Sequence, residues 1–461
     1  MFSFLPTFVA ILACLIGLDM ALTDQAPPLG WAALAFLAVL PVGELAIIFA
    51  KRSVLVKGDG AVKQKGRIRP SLWPLALGMV PPAGYAAACL LGGLPRVVVV
   101  LGIERWVLVD ELLLLALYPL TAALGRFYLH RRGRIFDRSR SWQRGRTEML
   151  LGFRGELALM APIVLFVLVG DLISLCDEVE KTIAGSPPLV YSLVFGCVLI
   201  LAFSYPFMLK ILWRMKPLAS VFGPTPELLA FVKGLDFKIR GLLAWHTGGL
   251  MVNAALLGVA GRWRYILLTD SMIERFTIDE LKATIAHEIG HGKKHHSLLF
   301  IILSVGFVAA LGLVNLSFAL FGSLFETTGD ELLAAAVLYL PATIIYVFGL
   351  FGFVSRRFEV EADIFAVRAV GDARLLVETL KRLALWNRHA LSRKSWRHFS
   401  IEKRIALLES FFPGEEGSES AALAAFEKGL KRLKVILMAT SILLGASFLY
   451  ELVRAATERM A

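Results

Sequence analysis

The chain has 461 residues, of which 57% are hydrophobic and 19% charged, and it carries a net charge of +12 at neutral pH. That apolar share exceeds what a soluble domain carries, and a mean hydropathy of +0.69 points to an integral membrane protein. The excess of Lys and Arg would suit a nucleic-acid surface, but it is gathered in alternate loops, as membrane topology requires, so nucleic acid is excluded as a partner.

Nine stretches reach the about 18 apolar residues a bilayer-crossing helix needs. They lie near 3–20, 30–50, 71–93, 106–124, 157–176, 188–212, 298–322, 332–354 and 435–453. The loops at 51–70 and 125–156 are crowded with Lys and Arg, whereas 21–29 and 323–331 carry acids only. Basic loops face the cytoplasm, so the N-terminus is expected inside and the C-terminus outside. The arginines of 125–156 set orientation and could also touch anionic lipid headgroups. Asp19, Glu44, Asp110, Glu111 and Asp171 fall inside spans or at their ends, and Glu44 is the one expected to face a polar lumen. Cys14, Cys89, Cys176 and Cys197 lie in or beside apolar stretches without C-x-x-C spacing, so buried thiols are expected rather than disulfides or a cysteine metal site.

The segment 213–297 has the composition of a soluble fold. A break at Pro224-Thr-Pro226 precedes a short helix at 227–233. Strands are expected at 237–247 and 250–259 with a turn at Gly248-Gly249 between them, then at 264–269 after a turn at Gly261. Thr277 and Glu280, three apart, form a capping box that opens the next helix. That helix carries HEIGH at 287–291. Residues four apart share a helix face, so His287 and His291 can reach one metal ion, while Glu288, about 100° further round, can hold a water on it. Asp279, Glu280 and Lys282 before the motif and Lys293, Lys294, His295 and His296 after it set the site at the cytoplasmic face rather than deep in the bilayer. His295 and His296 are expected to be an interfacial pair.

Directly below the eighth span comes SRRFEVEAD at 355–363, with Glu359 and Asp363 on one helical face. Amphipathic helices follow at 373–386 and 401–411, then a solvated linker at 414–420. A catalytic zinc site needs three protein ligands and one open position. His295 lies too far along the helix to join His287 and His291, and HExxHxxGxxH is absent because residue 294 is Lys and 297 is Ser. A glutamate is left. Glu359 fits that place, the other reading being an acidic turn that pairs with Arg356 and Arg357.

With these residues the chain resembles the integral-membrane zinc metallopeptidases that include HtpX and CAAX prenyl protease 1. The resemblance covers roughly 213–411. It implies that His287, His291 and Glu359 bind one Zn²⁺ per chain, that Glu288 is the general base, and that Asp363 orients a zinc histidine. Asn253-Ala254 and the strand 264–269 match the family's substrate-binding edge strand and its neighbour. His398 matches a late active-site histidine, although Phe399 stands where the family usually has Pro. Arg404 either supports this shell or forms a structural ion pair. Family members have fewer spans or a seven-span chamber, so the N-terminal six spans have no counterpart.

The expected architecture is a mainly α, polytopic membrane protein of about nine transmembrane helices with a small α+β zinc peptidase domain carrying a short β-sheet. Its parts are a six-span region at 1–212, a β-hairpin and HEIGH helix at 213–297, two spans within 298–354, the rest of the peptidase domain at 355–420, and a last span and tail at 421–461. The expected activity is hydrolysis of peptide bonds in membrane-associated or misfolded membrane proteins at the cytoplasmic face of a plasma membrane, of bacterial type. Processing of C-terminal lipidated peptides and a non-catalytic scaffold or transporter with a vestigial metal site are the alternatives. The expected partners are a protein or peptide substrate and membrane lipid.

Overall fold

The computed structural model describes residues 10, 13, 14, 16, 18, 20, 21, 73–103, 106, 109–133, 142–258, 261–321, 341–387, 391, 392, 395–414 and 419–460. The span expected at 30–50 with Glu44, the basic loop 51–70, Asp19 and the acidic loop 323–331 lie outside the described residues. The chain forms two compact units, 1–183 and 184–461.

In the first unit, apolar runs form helices α1 (Trp73–Leu90), α2 (Arg96–Leu101), α3 (Val109–Gly133) and α4 (Trp142–Ser174), and the charged segment after them forms α5 (Asp177–Ala184). Tyr85, Leu114, Tyr118 and Met160 build its core with Cys14 and Cys89. The buried Tyr85 hydroxyl donates to the Leu114 carbonyl at 2.7 Å, which satisfies the one polar atom the ring carries inward. Cys176, by contrast, is exposed rather than buried. Helix α4 begins at Trp142, so Arg144, Arg146 and Arg154 stand on a helix, not in the loop expected at 125–156. Arg126 pairs with the buried Glu156, a role beyond orientation. The Arg126 side chain passes directly over Gly152, where a Cβ would overlap it. Asp110, Glu111 and Asp171, expected inside spans or at their ends, gather into one acidic group.

The second unit starts with α6 (Pro187–Leu212), which the sequence had assigned to the N-terminal region. It continues through β1 (Lys216–Pro217), α7 (Thr225–Gly234), β2 (Gly241–Trp245), β3 (Ala254–Leu257), β4 (Tyr265–Thr269), α8 (Asp270–Arg275) and α9 (Ile278–Lys293). The sheet order is β1-β2-β4-β3, with β2 and β4 parallel and the outer pairs antiparallel. The expected neighbours across Gly248-Gly249 are therefore separated by β4, and the hairpin is β3–β4. Two observations explain the difference. Every β4 residue is buried, the mark of a central strand. At the end of β2, the Asp270 carboxylate collects the Thr247 and Gly248 N–H groups at 3.0 and 2.8 Å and turns the chain away. Gly248 and Gly249, at φ of 61° and 77°, supply the left-handed backbone of that turn.

Helix α9 is gripped on two sides. Leu281, Ile285 and Ile289 recur at four-residue spacing and pack on Leu228, Val232, Ile266 and Leu268, each burial contributing about 1.5 to 3 kcal/mol. On another face, Ala283 and Ala286 meet α11 (Gly352–Val370), α12 (Ala373–Trp386) and α13 (Ile401–Phe411). The α9 and α11 backbones approach closely at Gly290, where a Cβ would lie 3.0 Å from the Ala362 Cα. The capping box is formed as expected: Thr277 accepts from the Glu280 N–H, and the Glu280 carboxylate accepts from the Thr277 N–H at 2.8 Å. Arg382 of α12 donates to both Glu280 oxygens and fastens the start of α9 to its neighbour.

Helix α10 (His296–Phe321) lies along α14 (Ala421–Met460). Gly306 and Gly312 admit Ser441 and Phe448 at distances that any side chain would close off. A π-helical turn, Ile345–Phe351, runs without a break into α11. Among the described residues, α4, Ala421–Arg454 of α14 and His296–Val314 of α10 are long and apolar enough to cross a membrane.

Candidate metal centre

The site is built where α9 and α11 touch. Their close approach at Gly290 brings His287 and His291 of one helix against Glu359 of the other. The two Nε2 atoms are 3.2 Å apart, and the Glu359 oxygens lie 3.8 Å from His287 Nε2 and 3.6 Å from His291 Nε2. A tetrahedral ion with arms of about 2.0 to 2.1 Å sets its ligand atoms about 3.3 Å apart, so the three groups fit one ion. All three ligand atoms lie within 4.8 Å of one another.

The surrounding groups hold these side chains in place. His287 presents Nδ1 to Asp363 Oδ1 at 2.9 Å. Asp363 is in turn gripped by Arg404, whose Nε donates to Oδ2 at 2.7 Å while Nη2 donates to Oδ1. Arg404 Nη1 also stands 3.6 Å from Glu359. His398, more than one-third exposed at 37%, places Nδ1 3.1 Å from Glu359 Oε2. Arg404 is thus an enclosed ion pair and a wall of the site at once, which unites the two roles its sequence position left open. Arg356 donates to the Trp396 carbonyl at 2.6 Å and Arg357 to that of Phe353 at 3.2 Å, so their recorded hydrogen bonds go to main chain rather than to Glu359.

Burial alone would raise the Glu359 carboxyl, but His398, Arg404 and His291 outweigh it and hold it well below the usual carboxylate range. Burial likewise works to raise Asp363, and Arg404 and His287 reverse it. The Glu288 carboxyl is shifted the other way, upward, because burial exceeds the pull of His287. Burial and the neighbouring His287 push His291 down to about 3, so its ring is neutral, the form that binds metal.

Glu288 is fixed by the sheet. Its Oε2 accepts the Leu256 N–H of edge strand β3 at 2.8 Å. Asn253 lies just before β3, exposed, with its main chain paired to Thr269, and Ala254 opens the strand opposite Leu268. The chain entering β3 is clamped by Asn387 at the end of α12, whose amide accepts from the Val252 N–H at 3.0 Å and donates to its carbonyl at 2.8 Å. Nothing in the motif pattern marked Asn387.

His296 corrects an expectation: it is 1% exposed, not interfacial. His295 adopts a left-handed conformation, φ 55°, which breaks α9 from α10 and swings the next side chain inward. His296 Nδ1 then lies 2.8 Å from His291 Nδ1.

The donor set, its carboxylate neighbour and the backing groups are those of a metal-dependent peptidase. Residues 249–412 match the family model of Peptidase family M48. The chain is 29% identical over 247 residues to a CAAX prenyl protease 1 homolog of Oryza sativa subsp. japonica, covering 48% of this chain and 55% of that protein. A CAAX prenyl protease 1 homolog of Arabidopsis thaliana is 29% identical over 219 residues, covering 44% and 50%. The chain thus spans about half the length of the curated relatives it matches. The crystal structure of S. mikatae Ste24p aligns at a TM-score of 0.45 and 16% identity, over 83% of this chain and 99% of that one.

Proposed function

We propose that the chain is a membrane-embedded zinc metalloendopeptidase that cleaves membrane-associated or misfolded membrane proteins at the cytoplasmic face. The observation that carries this is the tetrahedral spacing of His287, His291 and Glu359 beside an enclosed, sheet-anchored Glu288. In this reading His287, His291 and Glu359 hold one Zn²⁺, which when bound makes a water acidic and polarises a carbonyl.

The remaining steps belong to the chain. Glu288, its Oε2 held by Leu256, takes a proton on the other oxygen and passes it to the leaving amine; its raised pKa suits a group that must carry that proton. Arg404 and Asp363 keep His287 oriented. His398 donates to the developing oxyanion, a contribution of about 3 kcal/mol for donors of this kind. An extended peptide pairs with the outer edge of β3, beside the Leu256 N–H that Glu288 holds, and Asn387 keeps the strand in place, so main chain is read more than side chain. The cytoplasmic placement, with N-terminus inside and C-terminus outside, is supported by the alternation of basic and acidic loops.

A second substrate reading, C-terminal lipidated peptides, is favoured by one observation: both plant relatives are CAAX prenyl protease 1 homologs. The experiment is Glu288→Gln, compared with wild type for bound zinc and for new N-termini across the membrane proteome. Zinc is expected to stay while the N-termini disappear. Unchanged N-termini would defeat the enzyme assignment and leave a scaffold with a vestigial site.

A further inference from the structure

A metal-binding imidazole has a second nitrogen, and the partner of that nitrogen fixes the tautomer and the ring orientation. Behind His287 the partner is a carboxylate that ends on a cation, Asp363 and Arg404. Behind His291 the structure holds a longer version. His291 Nδ1 meets His296 Nδ1 at 2.8 Å, His296 Nε2 meets Glu361 Oε2 at 2.8 Å, and Lys434 Nζ donates to the same oxygen at 2.5 Å. The His296 ring is stacked on Phe358 at 4.1 Å and 6°, so it cannot turn away without losing that contact.

One assignment of protons satisfies every link. With its Nε2 directed at the metal position, His291 carries its proton on Nδ1 and donates it to His296 Nδ1. His296 then carries its own proton on Nε2 and donates to Glu361, which accepts from Lys434 as well. The members come from α9, α10, α11 and α14, so the chain of bonds ties the first metal helix to two helices apolar enough to span a membrane.

We infer that His296, Glu361 and Lys434 are positioning residues that lock His291 in its metal-binding tautomer and orientation. This rests on the reading of His291 as a metal ligand. Such partners typically carry 10- to 100-fold of metal affinity.

The test uses the full chain in detergent and three proteins: wild type, His296→Phe and Glu361→Gln. Phe keeps the ring stack and removes both hydrogen bonds; Gln keeps the shape and removes the charge, and it carries the test should His296→Phe not fold. Zinc affinity is measured by competition with a fluorescent chelator, and the absorption of bound Co²⁺ reports ligand geometry. His296→Phe is expected to bind zinc about 10- to 100-fold more weakly, with an altered Co²⁺ spectrum, and Glu361→Gln to shift affinity the same way by a smaller factor. Unchanged zinc affinity and Co²⁺ spectrum, with only a lower Tm of the metal-free protein, would reduce the chain of bonds to packing and overturn the inference. A wild type that takes up no zinc would instead defeat the functional reading itself, so the two failures are distinct.

Discussion

Replacing Arg404 with Met probes the most enclosed charge pair among the described residues. Arg404 and Asp363 are both buried, and two hydrogen bonds join them. Met keeps much of the volume but leaves the Asp363 carboxylate facing only His287. Removing one partner of a buried pair costs about 3 to 5 kcal/mol, because the other charge stays behind without compensation. At about 2 to 4 °C per kcal/mol for a unit of this size, the Tm is expected to fall by about 6 to 20 °C. The assay is thermal unfolding in detergent at fixed zinc for wild type, Arg404→Met, Asp363→Asn and the double variant. Because Asn leaves no charge stranded, the double variant is expected to lose at least about 1 kcal/mol less than the sum of the singles. Strict additivity would refute the view that the pair acts as one unit. The same pair sets an acid limit. The folded Asp363 carboxyl lies below its unfolded value of about 3.9, so its stabilisation is complete above that pH and fades as pH falls through the lower folded value. Asp363→Asn should therefore flatten the acid side of the Tm profile.

Gly290→Ala adds a Cβ 3.0 Å from the Ala362 Cα and 3.2 Å from both its carbonyl oxygen and Phe365 Cβ, and overpacking of this kind costs about 1 to 3 kcal/mol. Tm and zinc stoichiometry should fall together, since the same contact spaces the ligands. Arg382→Ala strips the buried Glu280 of its guanidinium partner, for a loss of about 1 to 3 kcal/mol by chemical denaturation with zinc affinity retained. Asn387→Ala releases Val252 and should raise KM for an extended peptide about 5-fold, equivalent to about 1 kcal/mol, with kcat nearly constant.

Local signals in the sequence translated well into structure. The Thr277 and Glu280 capping box, the helices at 373–386 and 401–411, and the coincidence of apolar runs with α1, α4, α6, α10 and α14 all follow from short-range chemistry that one helix expresses by itself. The order of the sheet was not legible, because the insertion of β4 between β2 and β3 depends on partners far along the chain. His296 was misread for a related reason. Its neighbours Lys293, Lys294 and His295 look like a solvated turn, and only the left-handed backbone at His295 directs the ring to the interior. The gathering of Glu359 with His287 and His291 could be proposed from the donor types the chemistry needs. Glu361, two residues on, carried no such marker, since its function depends on Lys434, which lies 73 residues further along the chain.

The bond from Leu256 to Glu288 has a bearing on where cuts would fall. In β3 the main-chain groups of Asn253 and Leu257 turn toward β4, and those of Ala254 and Leu256 turn outward. A guest strand on that edge keeps its hydrogen bonds when it moves by two residues, or by one residue with the strand turned over. Since the carboxylate is anchored to one rung of this ladder, the scissile bond would be counted off from the same rung whatever side chains the guest carries. Cuts in an unfolded segment would then be spaced by main-chain register rather than by a side-chain motif, a pattern readable by mass spectrometry of the products.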